Sequence, residues 1–213
     1  MSTRRLVVDP GHPDLAAILE AADVLRGGGL VAFPTETVYG LGARVTDEAA
    51  VRRIFAAKGR PEGKPLIVHV SRREQVSRVA RDVPPAARAL MARFFPGPLT
   101  LVLPRRPEIP DAVTAGGDTV AVRMPDHPVA QALIEALGEP VAAPSANRSG
   151  ARSATTPEEV LDDLDGRIEL VLDAGPAPLR QPSTVLDLTV EPARVLRQGA
   201  VPADALRRHV PIA

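Results

Sequence analysis

The sequence contains no cysteine and no tryptophan, and aromatic residues make up only 2% of its 213 residues. The lack of cysteine excludes disulfides, thiolate metal sites and cysteine nucleophiles. With so few aromatic residues, the core must be built from Val, Leu, Ala and Ile. No apolar run approaches the roughly 20 residues that a membrane-spanning helix needs, and the first ten residues lack the apolar stretch of a secretory signal. We therefore expect a cytoplasmic protein.

The sequence also has no excess of either charge, since 26 basic residues balance 26 acidic ones. This balance argues against a dedicated nucleic-acid coat, whose affinity depends on a basic surface, but it allows one local basic cavity. The four histidines are scattered and form no HExxH-type pair, so a zinc site is not expected.

Lysine, tyrosine and asparagine are almost missing, and the few that occur lie in three segments rich in Gly and Pro. Lys58 and Lys64 are the only lysines, and the other 24 residues of the Lys and Arg total are arginines. Tyr39 is the only tyrosine, and Asn147 is the only asparagine. Because a lysine ammonium and a planar guanidinium are not equivalent at a phosphate, we interpret the surviving lysines as functional candidates.

Short apolar runs alternate with helical patterns along the chain. This alternation predicts an α/β fold with a mixed sheet flanked by helices, in a single domain over residues 1–213. The expected strands are 6–8, 30–33, 66–70, 99–103, 119–123, 141–143, 168–172, 184–188 and 194–196. The expected helices are 13–26, 47–57, 72–80, 85–94, 128–137, 157–164 and 203–208. Capping boxes are predicted for Ser71 with Glu74 and for Thr156 with Glu159.

Residues 58–64 are expected to form a helix-to-strand loop that carries three cations on a stiff Gly-Arg-Pro-Glu-Gly backbone. A solvated basic turn is one interpretation, and an anion site is the other. The segment is not a phosphate-binding P-loop, because Pro65 follows Lys64 where Ser or Thr is required. If this segment holds phosphates, its side chains must do so.

Polar residues also follow two predicted strands. Residues 34–42 carry Thr35, Glu36, Thr37 and Tyr39, and residues 144–150 read Pro-Ser-Ala-Asn-Arg-Ser-Gly. Ligands of α/β proteins commonly bind beyond the carboxyl ends of strands, although tight turns and caps use the same residue types.

Several single residues remain ambiguous when each is taken alone. His69 fits a core histidine, Arg123 fits either an anion fork or a salt bridge, and Ser183 and Arg197 are equally open. Together the candidates offer cations and hydroxyls but no nucleophile with a histidine base. Such a site favours phosphoryl or nucleotidyl transfer by positioning and charge stabilisation.

Seven segments, in order along the chain, closely resemble the YrdC-type threonylcarbamoyl-AMP synthases, in the short single-domain form. The segments are 34–42 (Pro-Thr-Glu-Thr-Val-Tyr-Gly-Leu-Gly), 58–61 (Lys-Gly-Arg-Pro), 65–69, 96–100, 122–125, 144–150 and 182–185. The resemblance covers about residues 10–201. It implies a YrdC-like twisted sheet that encloses a basic cavity, and we do not expect the extra C-terminal domain of the family's long form.

The resemblance also implies an activity, nucleotidyl transfer, in which L-threonine, bicarbonate or CO2, and ATP give threonylcarbamoyl-AMP and pyrophosphate. The product would feed N6-threonylcarbamoyladenosine formation at tRNA position 37 by a downstream transferase complex. Mg2+ would assist, held mainly by ATP rather than by protein ligands. No membrane partner is implied, and direct RNA binding stays open.

By that similarity, site residues of this chain can be assigned to three roles. The threonine side would be lined by Thr37, His69, Arg123, Ala143 and Ser183. ATP would be contacted by Lys58, Arg60, Lys64, Thr119, Ser145, Asn147, Ser153 and Arg197. Catalysis would depend on the charges of Lys58, Arg60 and Arg123, without a covalent nucleophile. Position 143 is Ala and offers only its backbone and a methyl group.

Two alternatives remain open at this point. One is a non-catalytic module that binds double-stranded RNA or tRNA during maturation, against which the zero net charge and single tyrosine weigh. The other is a carbamoyl-transfer domain of the hydrogenase-maturation type, which is normally part of a much longer, Cys-rich chain.

Overall fold

A mixed β-sheet of ten strands runs through the structure, a computed structural model that describes residues 2–213. The strands are β1 Arg4–Val7, β2 Val31–Phe33, β3 Gly40–Arg44, β4 Ile67–His69, β5 Leu99–Pro104, β6 Thr119–Arg123, β7 Val141–Ala142, β8 Leu170–Asp173, β9 Thr184–Asp187 and β10 Arg194–Arg197. The α-helices are α1 Leu15–Arg26, α2 Glu48–Lys58, α3 Pro85–Phe94, α4 Asp111–Thr114, α5 Pro128–Leu137, α6 Pro157–Leu164 and α7 Ala203–Arg207.

The order of the strands is β1-β8-β2-β3-β7-β4-β6-β5-β9-β10. Four neighbouring pairs are parallel, namely β1 with β8, β8 with β2, β4 with β6, and β5 with β9. The other neighbours run antiparallel. The predicted α/β fold with a mixed sheet flanked by helices is therefore confirmed.

Side chains alternate between the two faces of this sheet, and each face has its own core. In β2, Ala32 belongs to the larger cluster of buried apolar residues, whereas Val31 and Phe33 belong to a smaller cluster built with α1 and α5. In β7, Ala142 and Val141 divide in the same way. The helices α1 and α5 thus cover the β8-β2-β7 part of one face.

Strand β3 was not predicted, because its Gly-Leu-Gly sequence is typical of a turn. Gly40 and Gly42 lie against the ring of Phe33, and a Cβ on Gly42 would come within 2.9 Å of that ring. The pairing of β3 with β2 on one side and β7 on the other satisfies its backbone and makes these glycines part of a central strand.

The predicted helix over 72–80 is wrong in type, because the structure has a 3-10 helix over Arg73–Arg78. The predicted capping box with Glu74 is not formed. Instead, Gln75 Oε1 accepts hydrogen bonds from the backbone N–H of Ser71, at 2.9 Å, and from its hydroxyl, at 3.2 Å. The Gln75 amide therefore holds the start of this turn.

The second predicted capping box is formed only in part. The Thr156 hydroxyl accepts from the Glu159 N–H at 3.2 Å, as expected for an N-cap. The Glu159 carboxylate, however, accepts from the N–H and hydroxyl of Thr155, one residue earlier. Elsewhere the predicted elements differ mainly at their ends, and the one-turn helix α4 was not predicted.

No helix within residues 2–213 has the length and apolarity to span a membrane.

Candidate active site

Beyond the part covered by α1 and α5, the same sheet face forms the floor of a cavity. Ile67 and His69 of β4 and Ala121 and Arg123 of β6 point into it, while the alternating Val68, Val120 and Val122 pack in the larger core. The cavity has a volume of about 260 Å³. This is slightly below the roughly 300–1,000 Å³ of pockets that bind drug-sized molecules.

The cavity brings together nine of the site residues predicted from the sequence. They are Thr37, Arg60, His69, Arg123, Ala143, Ser145, Ser153, Ser183 and Arg197. Lys58, Lys64, Thr119 and Asn147 do not line it. The lining contains three arginines and, among the described residues, no carboxylate.

Arg123 lies at the end of β6, level with His69 on the parallel strand β4. Its side chain is only 4% exposed, and its Nη2 atom lies 2.6 Å from Oε2 of Glu36, whose side chain is 9% exposed. The Nε atom donates to the Gly97 carbonyl at 3.3 Å. A guanidinium held in this way presents its remaining donors to the cavity, as an anion fork requires.

His69 is buried, and its Nδ1 atom has no hydrogen-bond partner among residues 2–213. Burial, with the positive charge of Arg123 as a second cause, lowers the pKa of His69 to about 3. The ring is therefore neutral at neutral pH, and it can orient a polar ligand by a hydrogen bond without adding charge. Its edge contacts the Phe33 ring, with centroids 6.0 Å apart.

Ser183, just before β9, contacts two side chains, of which Arg197 also lines the cavity. Its hydroxyl lies 2.8 Å from Thr100 Oγ1. Arg197, at the end of β10, donates to the Ser183 carbonyl through Nε and Nη2 and to its hydroxyl through Nη2 at 3.0 Å. Burial, followed by the positive charge of Arg123, lowers the pKa of Arg197, and both arginines line the cavity. Such a pair favours an anion between them.

Thr35 and Thr37 follow β2 in a tight turn. The Thr35 hydroxyl donates to the Val38 carbonyl at 2.6 Å, accepts from the N–H groups of Thr37 and Val38, and lies 2.9 Å from the Thr37 hydroxyl. Thr35 therefore builds the turn. Thr37 Oγ1 remains the group of this pair that can meet a ligand in the cavity.

Tyr39 links this segment to the backbone that follows β8. Its hydroxyl donates to the Gly175 carbonyl at 2.7 Å and accepts from the Ala174 N–H at 3.3 Å. Burial raises the pKa of Tyr39 above its ordinary value. These backbone bonds account for a tyrosine at this position, which also lines the cavity.

Lys58 supports the cavity wall from behind. Its Nζ donates to the carbonyl oxygens of Ser145, at 2.5 Å, and Asn147, and the Ser149 N–H donates to the Lys58 carbonyl at 2.8 Å. Burial, followed by the charge of Arg60, lowers the pKa of Lys58 to about 8. In this structure Lys58 fixes the loop that carries Ser145.

Asn147 belongs to the same support. Its Nδ2 donates to the carbonyls of Arg148, at 2.7 Å, and Ala151, at 3.0 Å, while Oδ1 is buried without a partner among the described residues. In contrast, Arg60 and Ser145 line the cavity directly. The pair Lys58 and Arg60 and the pair Ser145 and Asn147 therefore each contribute one lining residue and one supporting residue.

Arg60 lies near the mouth of the cavity, where Nη2 donates to the Pro65 carbonyl at 3.1 Å and Nε is buried without a partner in the described chain. Burial lowers the pKa of its guanidinium. Lys64 is exposed beside it, and Thr119 is half-buried at the start of β6, next to Pro104 of β5.

Within residues 2–213, no three side chains of His, Cys, Asp or Glu are grouped closely enough to hold a metal ion. A lining with arginines and hydroxyls is suited to anions and not to a cation. The arrangement can bind a polyanion together with a small polar molecule, and it has no nucleophile positioned by a base.

Two further residues at the site carried no assignment from the sequence, Glu36 and Thr100. Glu36 lies within the Pro-Thr-Glu-Thr segment, whose polar character was visible, but its pairing with Arg123 spans 87 positions and has no local signal. Thr100 is a polar residue in an apolar strand, between Leu99 and Leu101, which is a weak signal of a polar contact.

The family model described as Sua5/YciO/YrdC, telomere recombination, matches residues 23–199. The chain belongs to the Sua5/YciO/YrdC family. It is 51% identical over 190 residues to the threonylcarbamoyl-AMP synthase of Pyrococcus abyssi, covering 89% of this chain and 56% of that protein. It is 48% identical over 208 residues to the Bacillus subtilis threonylcarbamoyl-AMP synthase, covering 94% of this chain and 59% of that protein. This Sua5/YciO/YrdC chain thus spans a little over half the length of these relatives.

The fold of this Sua5/YciO/YrdC member is similar to a crystal structure of P. abyssi Sua5 complexed with L-threonine. The TM-score is 0.96 at 47% identity, and the match covers 99% of this chain and 63% of the other. The expected family and fold are confirmed by these comparisons, while the roles of individual site residues stay predictions.

Proposed function

We propose that this chain is a threonylcarbamoyl-AMP synthase, which joins L-threonine, bicarbonate or CO2, and ATP with release of pyrophosphate. The observation that carries the proposal is the single cavity in which Arg123, His69 and Thr37 lie together with Arg60, Ser145 and Ser153. The names of the P. abyssi and B. subtilis relatives support the same reaction, as does the P. abyssi Sua5 complex with L-threonine.

The proposed reaction needs positioning more than covalent catalysis. The threonine amine loses a proton and attacks CO2, which gives a carbamate. A carbamate oxygen then attacks the α-phosphorus of ATP, and the bond to the β-phosphate oxygen breaks as pyrophosphate leaves. Carbamates are short-lived in water, so a recessed cavity protects this intermediate.

Each step has a suitable group among the lining residues. The remaining donors of Arg123 bind the threonine carboxylate, while Thr37 and the neutral His69 orient the amino acid. Arg60 and Arg197 offset the negative charge that develops on the triphosphate, and Ser145 and Ser153 donate to its oxygens. Lys58 and Asn147 contribute by fixing the loop of Ser145.

Mg2+ would enter with ATP, because the lining offers it no carboxylate among the described residues. It would neutralise charge on the phosphates. Cytoplasmic location and transfer of the product to a tRNA-modifying complex belong to the same proposal.

The test is mass spectrometry after a short incubation of the protein with ATP, Mg2+, L-threonine and 13C-bicarbonate. We expect a labelled threonylcarbamoyl-adenylate that disappears when threonine is omitted. Arg60→Gln should lower its rate of formation by about 100-fold to 1,000-fold, which is the usual effect of removing one charge-stabilising donor. Arg88→Gln, on the exposed side of α3, is the matched control.

Folded protein that binds RNA with strong salt dependence but forms no adenylate would overturn the proposal in favour of the RNA-binding module. A preference for carbamoyl phosphate over bicarbonate and threonine would favour carbamoyl transfer instead.

A further inference from the structure

Three segments that are far apart in the sequence meet at the guanidinium of Arg123. Glu36, after β2, forms the ion pair at Nη2, and Gly97, before β5, provides the carbonyl that accepts from Nε. Arg123 itself ends β6. No hydrogen bond between Nη1 and the described residues is formed, and Arg123 lines the cavity. The Nε and Nη2 atoms of the guanidinium are therefore held by protein groups, and Nη1 is left for a ligand in the cavity.

The Gly97 carbonyl is placed by a close approach of the backbone that only glycine permits. A Cβ at this position would lie 2.7 Å from the Phe94 carbonyl oxygen. The N–H of Gly97 donates to the Met124 carbonyl at 2.8 Å. Gly97 thus lies directly beside the end of β6. This part of the support for Arg123 is rigid and carries no charge.

Glu36 is the charged part of the support, and its burial is costly. Both carboxylate oxygens are buried, and neither has an aligned hydrogen bond to residues 2–213, although Oε2 lies 2.6 Å from Arg123. A buried carboxylate with so few partners requires an explanation in function. Glu36 does not line the cavity, whereas Thr35 and Thr37 on either side of it do. It therefore acts on a ligand through Arg123.

We propose that Glu36 is a positioning residue, which orients Arg123 so that its free donors face the carboxylate of the substrate amino acid. This role rests on the proposed function, because it takes the substrate to carry a carboxylate at Arg123. Glu36 also balances the charge of Arg123 while the cavity is empty.

The first measurement is calorimetric binding of L-threonine and of ATP, separately, to the wild type and to Glu36→Gln, which keeps the shape and removes the charge. We expect threonine affinity to fall by about 10-fold to 100-fold, the range found when a supporting residue is lost, with ATP affinity unchanged. Glu135→Gln is the matched control, since Glu135 is an exposed glutamate on α5 that lies 3.6 Å from Arg72 and outside the loop that carries Arg60. A loss confined to threonine would not arise from general destabilisation.

The second measurement repeats the titration with L-threoninamide, which keeps the ammonium and lacks the carboxylate. If Glu36 acts through Arg123 on the carboxylate, Glu36→Gln should hardly change threoninamide binding, and the preference of the protein for threonine over the amide should shrink. An equal loss for both ligands would contradict the proposal, because it would mean that Glu36 contacts the shared ammonium. Unchanged or tighter threonine binding would contradict it as well.

If Glu36→Gln does not fold, Glu36→Asp provides the same test, because it keeps the charge and withdraws it by one methylene. We then expect weaker threonine binding with the same selectivity for the carboxylate. Wild-type protein that binds ATP but not threonine would overturn the proposed substrate and this role together. Wild-type protein that binds threonine, with a Glu36 variant that does so equally well, would overturn this role alone.

Discussion

Two titratable side chains at the site, His69 and Lys58, are buried, and both have a lowered pKa for the same first reason. Removal from water disfavours the charged form of a base, and a neighbouring arginine adds to this effect in each case. The consequences differ because the two side chains have different partners. Nδ1 of His69 has no partner among the described residues and is available to a ligand, whereas Lys58 donates to two carbonyls of the loop that carries Ser145.

Replacement of His69 should reduce the sensitivity of the protein to acid. The pKa of His69 is about 3 when folded and near 6.5 when unfolded, so the unfolded chain binds the proton first as the pH falls. Between these two pH values, each unit by which the pH falls should lower the unfolding free energy by about 1.4 kcal/mol because of His69. We expect His69→Gln to lose this slope in urea unfolding at pH 6.5, 5.5 and 4.5.

The exposed His12→Gln variant is the control for the histidine experiment and should keep the wild-type slope. Parallel pH curves for the wild type and His69→Gln would show that His69 takes up its proton at the same pH in the folded and unfolded states, and would contradict its neutral role.

Lys58 should titrate within an accessible range, and the scarcity of lysine makes this directly measurable. Protein labelled with 13C at lysine Cε has two such carbons, and Lys58→Arg identifies the signal of Lys58. We expect its midpoint near pH 8, because burial lowers its pKa from 10.5. The folded state then loses this proton before the unfolded state does, so the contribution to stability rises with pH between about 8 and 10.5. A midpoint above pH 10 would contradict this expectation.

At the scale of single residues, nine of the residues predicted from the sequence line the cavity, but the sequence did not show which of the others lie behind its wall. Rarity singled out Lys58 and Asn147, and both are essential to one loop. Their supporting role could not be predicted from the sequence. It depends on hydrogen bonds from Lys58 to the Ser145 carbonyl, 87 positions away, and from Asn147 to the Ala151 carbonyl, and on which side of the loop faces the cavity. The same holds for Glu36, whose partner Arg123 lies in another strand.

At the scale of elements, the hairpin of β9 and β10 places Ser183 and Arg197 together, and Gly199 packs against the backbone of Ser183 at its open end. A Cβ at Gly199 would lie 2.3 Å from the Pro182 carbonyl oxygen and 2.5 Å from that of Ser183. Both are backbone atoms, so they cannot turn aside. The Gly199 N–H also donates to the Thr184 hydroxyl at 3.0 Å.

Gly199→Ala should therefore displace the backbone at Ser183 and reduce the unfolding free energy by about 1–3 kcal/mol. Because Ser183 and Arg197 line the cavity, the KM for threonine should rise as well. Gly11→Ala is the control, since a Cβ there would meet only Asp9 Oδ1, at 3.5 Å. Urea unfolding and steady-state kinetics measure the two effects. A variant as stable as the control would show that the hairpin tolerates the shift.

The sequence predicted nine of the ten strands, because short Val- and Leu-rich runs bounded by Gly or Pro are typical of buried strands. It did not predict β3, whose glycines are selected by the Phe33 ring of the neighbouring strand rather than by local preference. The one-turn helix α4 was missed, and the 3-10 helix over Arg73–Arg78 was predicted as an α-helix. Both elements are too short for a helical period to be visible in the sequence.

At the scale of the whole molecule, the cavity is the part of one sheet face that α1 and α5 leave open. Its floor strands β4, β6, β5 and β9 continue through β7 and β3 into β2, β8 and β1. Ala143 belongs both to the smaller core and to the cavity lining, and Phe33 of that core contacts His69. The ligand site and both cores therefore share one hydrogen-bonded sheet.

Because of this shared sheet, binding in the cavity should stabilise the whole described chain as one unit. L-Threonine at 100 times its Kd should add about 2.7 kcal/mol to the unfolding free energy. For a chain of this size the unfolding midpoint should rise by about 5–10 °C, in a single transition. Calorimetry and far-UV circular dichroism, with and without threonine, measure this shift. A second transition that threonine leaves unmoved would show that the β1-β8-β2 side unfolds separately, and would contradict the single-domain prediction over residues 1–213.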